Sequence, residues 1–523
     1  MSDVTDDVGQ EKVTKYIVVN CAHTRYHVVR AAAVSLGWYV EDEESENVPP
    51  EFHGVALKKD MRPICKRLSS RGMKYDPTTT PQILWFDKSV LSVRVSALSC
   101  RHRINHFPGI HIIARKAVLF KRIMRIRRQL NLSLPLVSAL RAFPWSFSTA
   151  TEMLQLERLL SNKNQQEQYQ IGENPYFILK PGKGCQGKGI VVTPEPLQTL
   201  EQVRKNTGDD WLVQLYVTPP LCIDRKKFDL RIYVLITSVV MGKPPKRGFS
   251  SAMSSNKSNL DRNLLEGLQV FVHNEGLVRI CAEEYSSPNK TNCDQSSIHL
   301  TNYAVNKGLE SFSVGQTTKD DSFGICEGNK RDFKFLKNYI NALPQNSIEC
   351  NEVNKNSGTN LWEYVLRRID MCIMLTILSG WEELQREFIV TGASRGSRSD
   401  SRNCFELLGF DLMLTAGLDP VLMEVNHSPS LFCDTDFDFE TKHHVVMDVF
   451  RLLEPYVPSI ENCDDASYAA YQAMAQVKKK NSSSNGSGEN GFRQISPQRS
   501  TGAVWGEEEM SVFEEMLHHA RQR

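Results

Sequence analysis

The sequence predicts a mixed α/β (α+β) fold, and three observations lead there. Over about the first 140 residues, short apolar runs alternate with a helix-like stretch. These are Tyr16-Ile-Val-Val-Asn20, the stretch from Tyr26 to Leu36, then Trp38-Tyr-Val40 and Ile83-Leu-Trp-Phe86. Further on, the strand-like runs Tyr176–Pro181 and Ile190–Thr193 flank a loop with four glycines in the eight residues 182–189. Near the C-terminal side, Glu406–Leu414 and Pro420–Asn426 are apolar runs joined by a turn at Gly417-Leu-Asp-Pro420, a hairpin pattern.

The chain has 523 residues, enough for two or three cores. Hydrophobic residues make up 41% and charged residues 24%, as in an ordinary globular protein. A net charge of +2 gives no global field toward polyanions, so neither nucleic acid nor a membrane is expected as a partner. No apolar run spans a bilayer, and the acidic start Met1-Ser-Asp-Val-Thr-Asp-Asp7 has no signal-peptide h-region. Thirteen scattered cysteines without a CxxC pair point to a reduced compartment and to neither a zinc module nor a disulfide framework. A monomer is expected.

The patterns suggest a disordered start at 1–14 and an N-terminal α/β domain at 15–140, followed by a central part at 141–225 and a second at 226–458 that each carry strands. The Lys-, Ser- and Pro-rich stretch 243–261 and the polar stretch 309–360 read as insertions, with Phe333–Leu343 a helix inside the second. Leu361–Leu378 is a solid helix. Residues 459–523 read as a mostly disordered tail with a terminal amphipathic helix over Val504–His519.

The chemistry concentrates in a few places. Glu424 and Asn426 stand two apart in an apolar run, so a strand would point both to one face. With Asp411 on the neighbouring strand they offer three hard oxygen donors, a set that suits Mg²⁺; the plainer reading is the wet face of a sheet. The glycine loop has neither the Walker nor the Rossmann pattern, because a strand and not a helix follows it. As a flap it would lay backbone N–H groups over phosphates, with Lys180 as a point charge. In Lys227-Phe-Asp-Leu-Arg-Ile-Tyr-Val234, charged and apolar residues alternate, which gives one cationic face suited to a polyanion or to salt bridges in solvent. Trp211–Val217 reads as a core strand that offers backbone groups to an adenine edge. His299-Leu-Thr-Asn302-Tyr303 and Lys307 form a polar cluster for ribose, phosphate or carboxylate, or else a helix cap. In Ala114–Leu130, Lys121, Arg122, Arg125, Arg127 and Arg128 oppose an apolar stripe, either a solvated face or a surface for an acidic polymer.

Taken in order, Phe177-Ile-Leu-Lys-Pro181 with Gly184-Cys-Gln-Gly-Lys-Gly-Ile190, Lys227–Leu235, His299–Lys307 and Glu424-Val-Asn-His-Ser-Pro-Ser430 resemble the tubulin tyrosine ligase-like family of ATP-grasp ligases, most closely its polyglutamylase branch. Asn105-His-Phe-Pro-Gly109 with Arg115-Lys116 extends the likeness. The resemblance implies an ATP-grasp fold in which the central and second lobes clamp ATP. It implies phosphate contacts from Lys116, Lys180 and Lys227, and closure of the flap through Gln186, Gly187, Lys188 and Gly189. The adenine hinge would be Gln214, Leu215, Tyr216 and Val217, with Phe228, Asp229, Thr301 and Asn302 completing the nucleotide site. Asp411, Glu424 and Asn426 would hold Mg²⁺. Arg231, Arg279, Tyr303 and Lys307 would bind free L-glutamate, and Arg231, Lys180 and Glu424 would act in catalysis.

The implied reaction is ATP- and Mg²⁺-dependent addition of glutamate, through isopeptide bonds, to glutamate side chains in tubulin tails via an acyl phosphate. Gln186 resembles the residue of chain-elongating members. Cytoplasm, cytoskeleton and the axoneme or basal body of a cilium or flagellum follow as expected locations. Departures include Pro181-Gly182-Lys183 at the loop opening and a segment after Pro458 less basic than the family's microtubule-binding extension. A glycine ligase, a glutamylase of another acidic protein and a non-catalytic microtubule-binding scaffold stand as alternatives.

Overall fold

The computed structural model describes residues 17–41, 82–89, 95, 102–169, 171–172, 174–182, 184, 187–207, 210–239, 265, 267–313, 324–325, 327–344, 360–391, 403–454, 490–496 and 505–521. It is a mixed α/β structure with three sheets. The N-terminal sheet has the order β2-β1-β3-β4, from β1 (Val18–His23), β2 (Tyr39–Glu41), β3 (Ile83–Phe86) and β4 (Arg103–Ile104). All its pairings are parallel, with α1 (His27–Ser35) crossing from β1 to β2. The second sheet, β5-β8-β6-β7, is antiparallel and holds β5 (Ser146–Ser148), β6 (Phe177–Pro181), β7 (Val191–Thr193) and β8 (Trp211–Leu215).

The largest sheet follows the path β12-β11-β10-β13-β14. It is built from β10 (Lys226–Val239), β11 (Leu268–Ile280), β12 (Lys330–Asp332), β13 (Glu406–Leu414) and β14 (Pro420–Asn426). The short β9 (Cys222–Ile223) pairs with β10, and β15 (Phe492–Gln494) pairs with β11. The alternation read from the sequence holds: Phe228, Leu230, Ile232 and Val234 enter the main core, whereas Asp229 and Arg231 turn the other way onto charged partners.

Beneath the apolar face runs one long helix, α3 (Leu361–Val390), after α2 (Lys116–Arg127). Asn360 caps α3 by accepting from the Trp362 N–H. The helix runs past Leu378 through Ser379-Gly380, which reads locally as a stop. A Cβ at Gly380 would stand 2.7 Å from Ile113 and 2.8 Å from Ile112, so the glycine is there for close packing, not for a turn. A further helix, α4 (Asp436–Leu453), packs the N-terminal sheet onto the main one, with Trp38 and Trp85 against Phe450 at 5.2 and 5.8 Å. At the same junction, fully buried Glu406 meets His106 Nδ1 at 3.1 Å and accepts from the Phe107 N–H at 2.7 Å.

Several sequence expectations change here. Within 309–360, β12 joins the edge of the main sheet and Phe333–Asn341 packs into the core, so this part belongs to the lobe and is not an insertion. The stretches 243–261 and 1–14 lie outside the described residues, as does 459–489 of the expected tail. Beyond them, β15 adds to the sheet, and α5 (Glu507–Arg521) buries Val512, Phe513, Met516 and Leu517. Among the described residues, no helix is long and apolar enough to cross a membrane.

Candidate active site

Strand register brings the acids together. Asp411 on β13 faces Glu424 on β14 and Arg231 on β10, while Asp229 faces Arg279 on β11. Arg231 grips Asp411 with two hydrogen bonds, at 2.6 and 3.1 Å. Arg279 grips Asp229 the same way, at 2.6 and 2.8 Å, and its Nη2 also lies 3.0 Å from Asp411 Oδ2. Thr301 donates to Asp229 at 2.5 Å. Each guanidinium keeps its Nη1 uncommitted among the described residues. Burial alone would raise the Asp411 pKa, but the charges of Arg231 and Arg279 hold it well below the usual carboxylate range. Asp229 is raised, chiefly by burial and with the Asp411 charge adding to it.

The Asn426 amide donates to Asp411 Oδ2 and Glu424 Oε1, at 3.3 Å each. The three expected metal ligands therefore converge. The same Nδ2 reaches the Gly409 carbonyl at 3.4 Å; turning the amide over would give up these three long bonds and make two carboxylates and one amide oxygen a hard-donor set that fits Mg²⁺.

Three lysines approach from three elements. Lys116, at the start of α2, pairs with Glu424 at 2.7 Å and donates to the Gly184 carbonyl at 3.2 Å. Lys180, at the end of β6, donates to Gln214 Oε1 at 2.7 Å and the Met423 carbonyl at 3.4 Å. Burial, with Lys116 nearby, pushes the Lys180 pKa down to about 7. Lys227 donates to the Tyr216 hydroxyl and the His299 carbonyl, at 3.1 and 3.0 Å, and burial lowers it as well. Five basic groups (Lys116, Lys180, Lys227, Arg231 and Arg279) thus surround three acids (Asp229, Asp411 and Glu424), more bases than the carboxylates can pair in a buried place.

Gly184, Gly187 and Lys188 of the glycine loop border this cleft. Gly187 has φ +77°, and a Cβ there would stand 2.9 Å from Asn302 Oδ1, so Gly187 lies directly on the Thr301-Asn302 corner. Lys188 is exposed and Gly189 again has positive φ, at +73°. The enclosed space is about 50 Å³. Gln186 lies outside the described residues.

Other expected residues sit differently. Phe228 is fully buried in the main core and turned from the cleft by the strand alternation, so its side chain cannot touch a ligand there. The Gln214 side chain is spent on Lys180 and on Ser146 Oγ (2.9 Å), which makes it a support for the lysine. Leu215 and Tyr216 give their N–H groups to Trp145 and Tyr176; the Val217 N–H has no partner among the described residues. Tyr303 and Lys307 follow the Thr301-Asn302 corner on a short helical turn, and exposed Lys307 stands 5.5 Å over the Tyr303 ring. Sequence reasoning missed Ser146, Asn292 and the side chain of His299, because only tertiary pairing gives them a role.

The basic helix α2 is largely engaged internally. Arg122 pairs with Glu383, Arg128 with Glu152, and Arg127 donates to the Phe143 carbonyl with its guanidinium 3.9 Å over Trp145. Only Lys121 and Arg125 of this face are exposed, and Arg125 donates to the Ala520 carbonyl.

A family model described as the tubulin-tyrosine ligase family matches residues 96–241 and 263–463. Tubulin polyglutamylase TTLL6 of Mus musculus is 31% identical over 382 residues, 73% of this chain and 37% of that protein. Tubulin polyglutamylase TTLL7 of Mus musculus is 26% identical over 446 residues, 85% of this chain and 38% of the relative. A protein named probable beta-tubulin polyglutamylase, from Tetrahymena thermophila, is 28% identical over 393 residues, 75% and 27% of the two chains. The chain thus spans between about a quarter and two fifths of the length of these relatives. The matched stretches carry β6, the glycine loop, β10, the Thr301-Asn302 corner and the acids of β13 and β14, and the chain belongs to the tubulin-tyrosine ligase family.

Proposed function

We propose that this protein is an ATP-dependent ligase that adds glutamate to glutamate side chains in the acidic tails of tubulin. The observation that carries the reading is the buried surplus of basic groups beside Asp411, Glu424 and Asn426, under a glycine loop. An unbalanced, desolvated cluster of this kind favours a polyanion, and a nucleotide triphosphate supplies the missing negative charge. The sheet carrying β5–β8 and the main sheet then form the two ATP-grasp lobes, divided near residue 225.

Asp411, Glu424 and Asn426 would hold Mg²⁺, which would supply positive charge to offset the negative charge that develops during phosphoryl transfer. Lys116, Lys180 and Lys227 hold the phosphates. The acceptor γ-carboxylate attacks the γ-phosphorus, releasing ADP and forming an acyl phosphate. The amine of free glutamate then displaces inorganic phosphate and forms the isopeptide bond. Arg231 and Arg279, each fixed by an aspartate, present their free Nη1 groups to the incoming carboxylates, with Tyr303 and Lys307 beyond them. Positioning and charge stabilisation carry the rate, and no protein nucleophile takes part. Gln186 supports elongation over initiation through its family resemblance alone, and the relatives' names support a cytoskeletal setting.

The deciding experiment offers ATP, tubulin and one isotope-labelled amino acid at a time, with mass spectrometry of the tubulin tails. Glutamate chains longer than one residue are expected. Glycine incorporation would change the donor, modification of a different acidic protein alone would change the acceptor, and no ATP turnover with any donor would leave a scaffold.

A further inference from the structure

Lys227 is held by two neutral acceptors and not by a carboxylate: the Tyr216 hydroxyl and the His299 backbone carbonyl. An ammonium has three donors, so one N–H remains for a ligand. What fixes the Tyr216 hydroxyl is therefore what aims that remaining N–H.

The fixing group can be read from hydrogen-bond directions. His299 Nε2 lies 3.0 Å from the Asn292 backbone carbonyl, and a carbonyl only accepts. Nε2 must carry the proton, which leaves Nδ1 of the neutral ring as an acceptor. Nδ1 lies 2.9 Å from the Tyr216 hydroxyl, so that hydroxyl donates to the ring and turns a lone pair to Lys227. The Tyr285 hydroxyl neighbours the same oxygen. The Tyr216 ring meets His299 edge-on at 5.5 Å and lies 4.6 Å from the lysine ammonium. His299 is 2% exposed, so water does not replace these partners. Burial and the Lys227 charge both lower the His299 pKa, in keeping with a neutral ring.

We propose that His299 is a positioning residue that, through Tyr216, orients the third N–H of Lys227 toward the phosphates of the nucleotide. The proposal rests on the nucleotide reading of the cleft. Without Nδ1 the hydroxyl hydrogen loses the acceptor that fixes it and is free to swing toward the Tyr285 hydroxyl or the ammonium, so the lone pair that anchors Lys227 is no longer held toward it. Because burial already disfavours its charge, the lysine then shifts toward the neutral amine, which a phosphate does not attract.

The test uses the full chain and three variants. His299→Leu removes the acceptor and keeps apolar volume. His299→Asn can place Oδ1 where Nδ1 stood. Tyr216→Phe removes one oxygen and keeps the ring. Calorimetric binding of a non-hydrolysable ATP analogue with Mg²⁺ is measured beside the KM values for ATP and glutamate and the thermal midpoint. His299→Leu and Tyr216→Phe should each weaken nucleotide binding by about 10- to 100-fold, the span of one hydrogen bond to a charged group, with the glutamate KM within about twofold. The double variant should bind no more weakly than the weaker single one, because both break the same chain of bonds. His299→Asn should recover most of the affinity. Near wild-type affinity in the single variants, multiplying effects in the double variant, or equal losses for ATP and glutamate would each overturn the proposal. If His299→Leu does not fold, Tyr216→Phe decides alone. A wild-type chain that binds no nucleotide overturns the cleft reading and this proposal together, whereas tight wild-type binding with unaffected variants overturns only the proposal.

Discussion

Two clusters of positive charge meet near Lys116, and they have opposite fates. Along α2, Arg122 and Arg128 each find a glutamate and Arg127 finds a carbonyl and an indole face. In the cleft, five basic groups share three carboxylates, and the remaining lysines lean on amide, hydroxyl and carbonyl oxygens. Both clusters read from the sequence as basic faces. What separates them is whether an acid stands next door in the fold, which neither periodicity nor net charge records. A ligand belongs where the charge is unbalanced and buried, not where basic residues are most numerous.

The largest effect that sharpens this contrast is expected at Asp411. Asp411→Ala leaves the buried Arg231 guanidinium without its carboxylate and Arg279 with Asp229 alone, costing about 3–5 kcal/mol in denaturant unfolding and abolishing ligation. Glu424→Gln, whose partner Lys116 is partly exposed, should cut turnover by at least ~100-fold with little change in the thermal midpoint. A fully active Glu424→Gln enzyme would contradict the metal assignment.

Glu406→Leu comes next. It strands His106 in the interior and should lower stability by about 3 kcal/mol, read from the urea midpoint. The pH dependence has a definite sign. Burial alone would lower the His106 pKa, but Glu406 raises it above the ordinary value of 6.5. The stabilisation is therefore complete below pH 6.5 and is lost as pH rises through the higher folded value. A midpoint that rises between pH 6 and pH 8 in step with this group would refute the charged pair.

Lys180 should make nucleotide binding pH-dependent. With its pKa near 7 in the free protein, a bound polyanion draws a proton onto it, so affinity should fall by up to about tenfold per unit above pH 7. Calorimetry in buffers of different ionisation enthalpy measures that proton directly; no uptake would mean the amine is already charged.

The smallest effects are expected on the helix. Arg125→Glu should change tubulin modification by less than about twofold, as for an exposed charge. A large drop that fades with added salt would restore α2 as a contact for acidic tails.

Much of the cleft was legible in the sequence because it lies on strands. Asp411, Glu424 and Asn426 were readable from acids in apolar runs, and the 227–233 alternation gave the charged face of β10. The partnerships were not readable, since Arg231 and Asp411 lie 180 residues apart and only register joins them. Gln214 reads as a core residue because nothing local shows that its amide holds Lys180. Ser379-Gly380 looks like a helix end until the Ile112–Ile113 turn is seen pressed against it. The strand at 492–494 is too short and polar to stand out, and exists because the edge of β11 is there to receive it.

That last strand carries a practical lesson for anyone trimming the gene. With α5 it contributes Phe492, Trp505 and Phe513 to interior contacts, and Arg493 pairs with Asp370 on the long helix. A boundary drawn where the polar stretch begins, near residue 455, would bare greasy surface on the spine of the molecule. Such a product should precipitate.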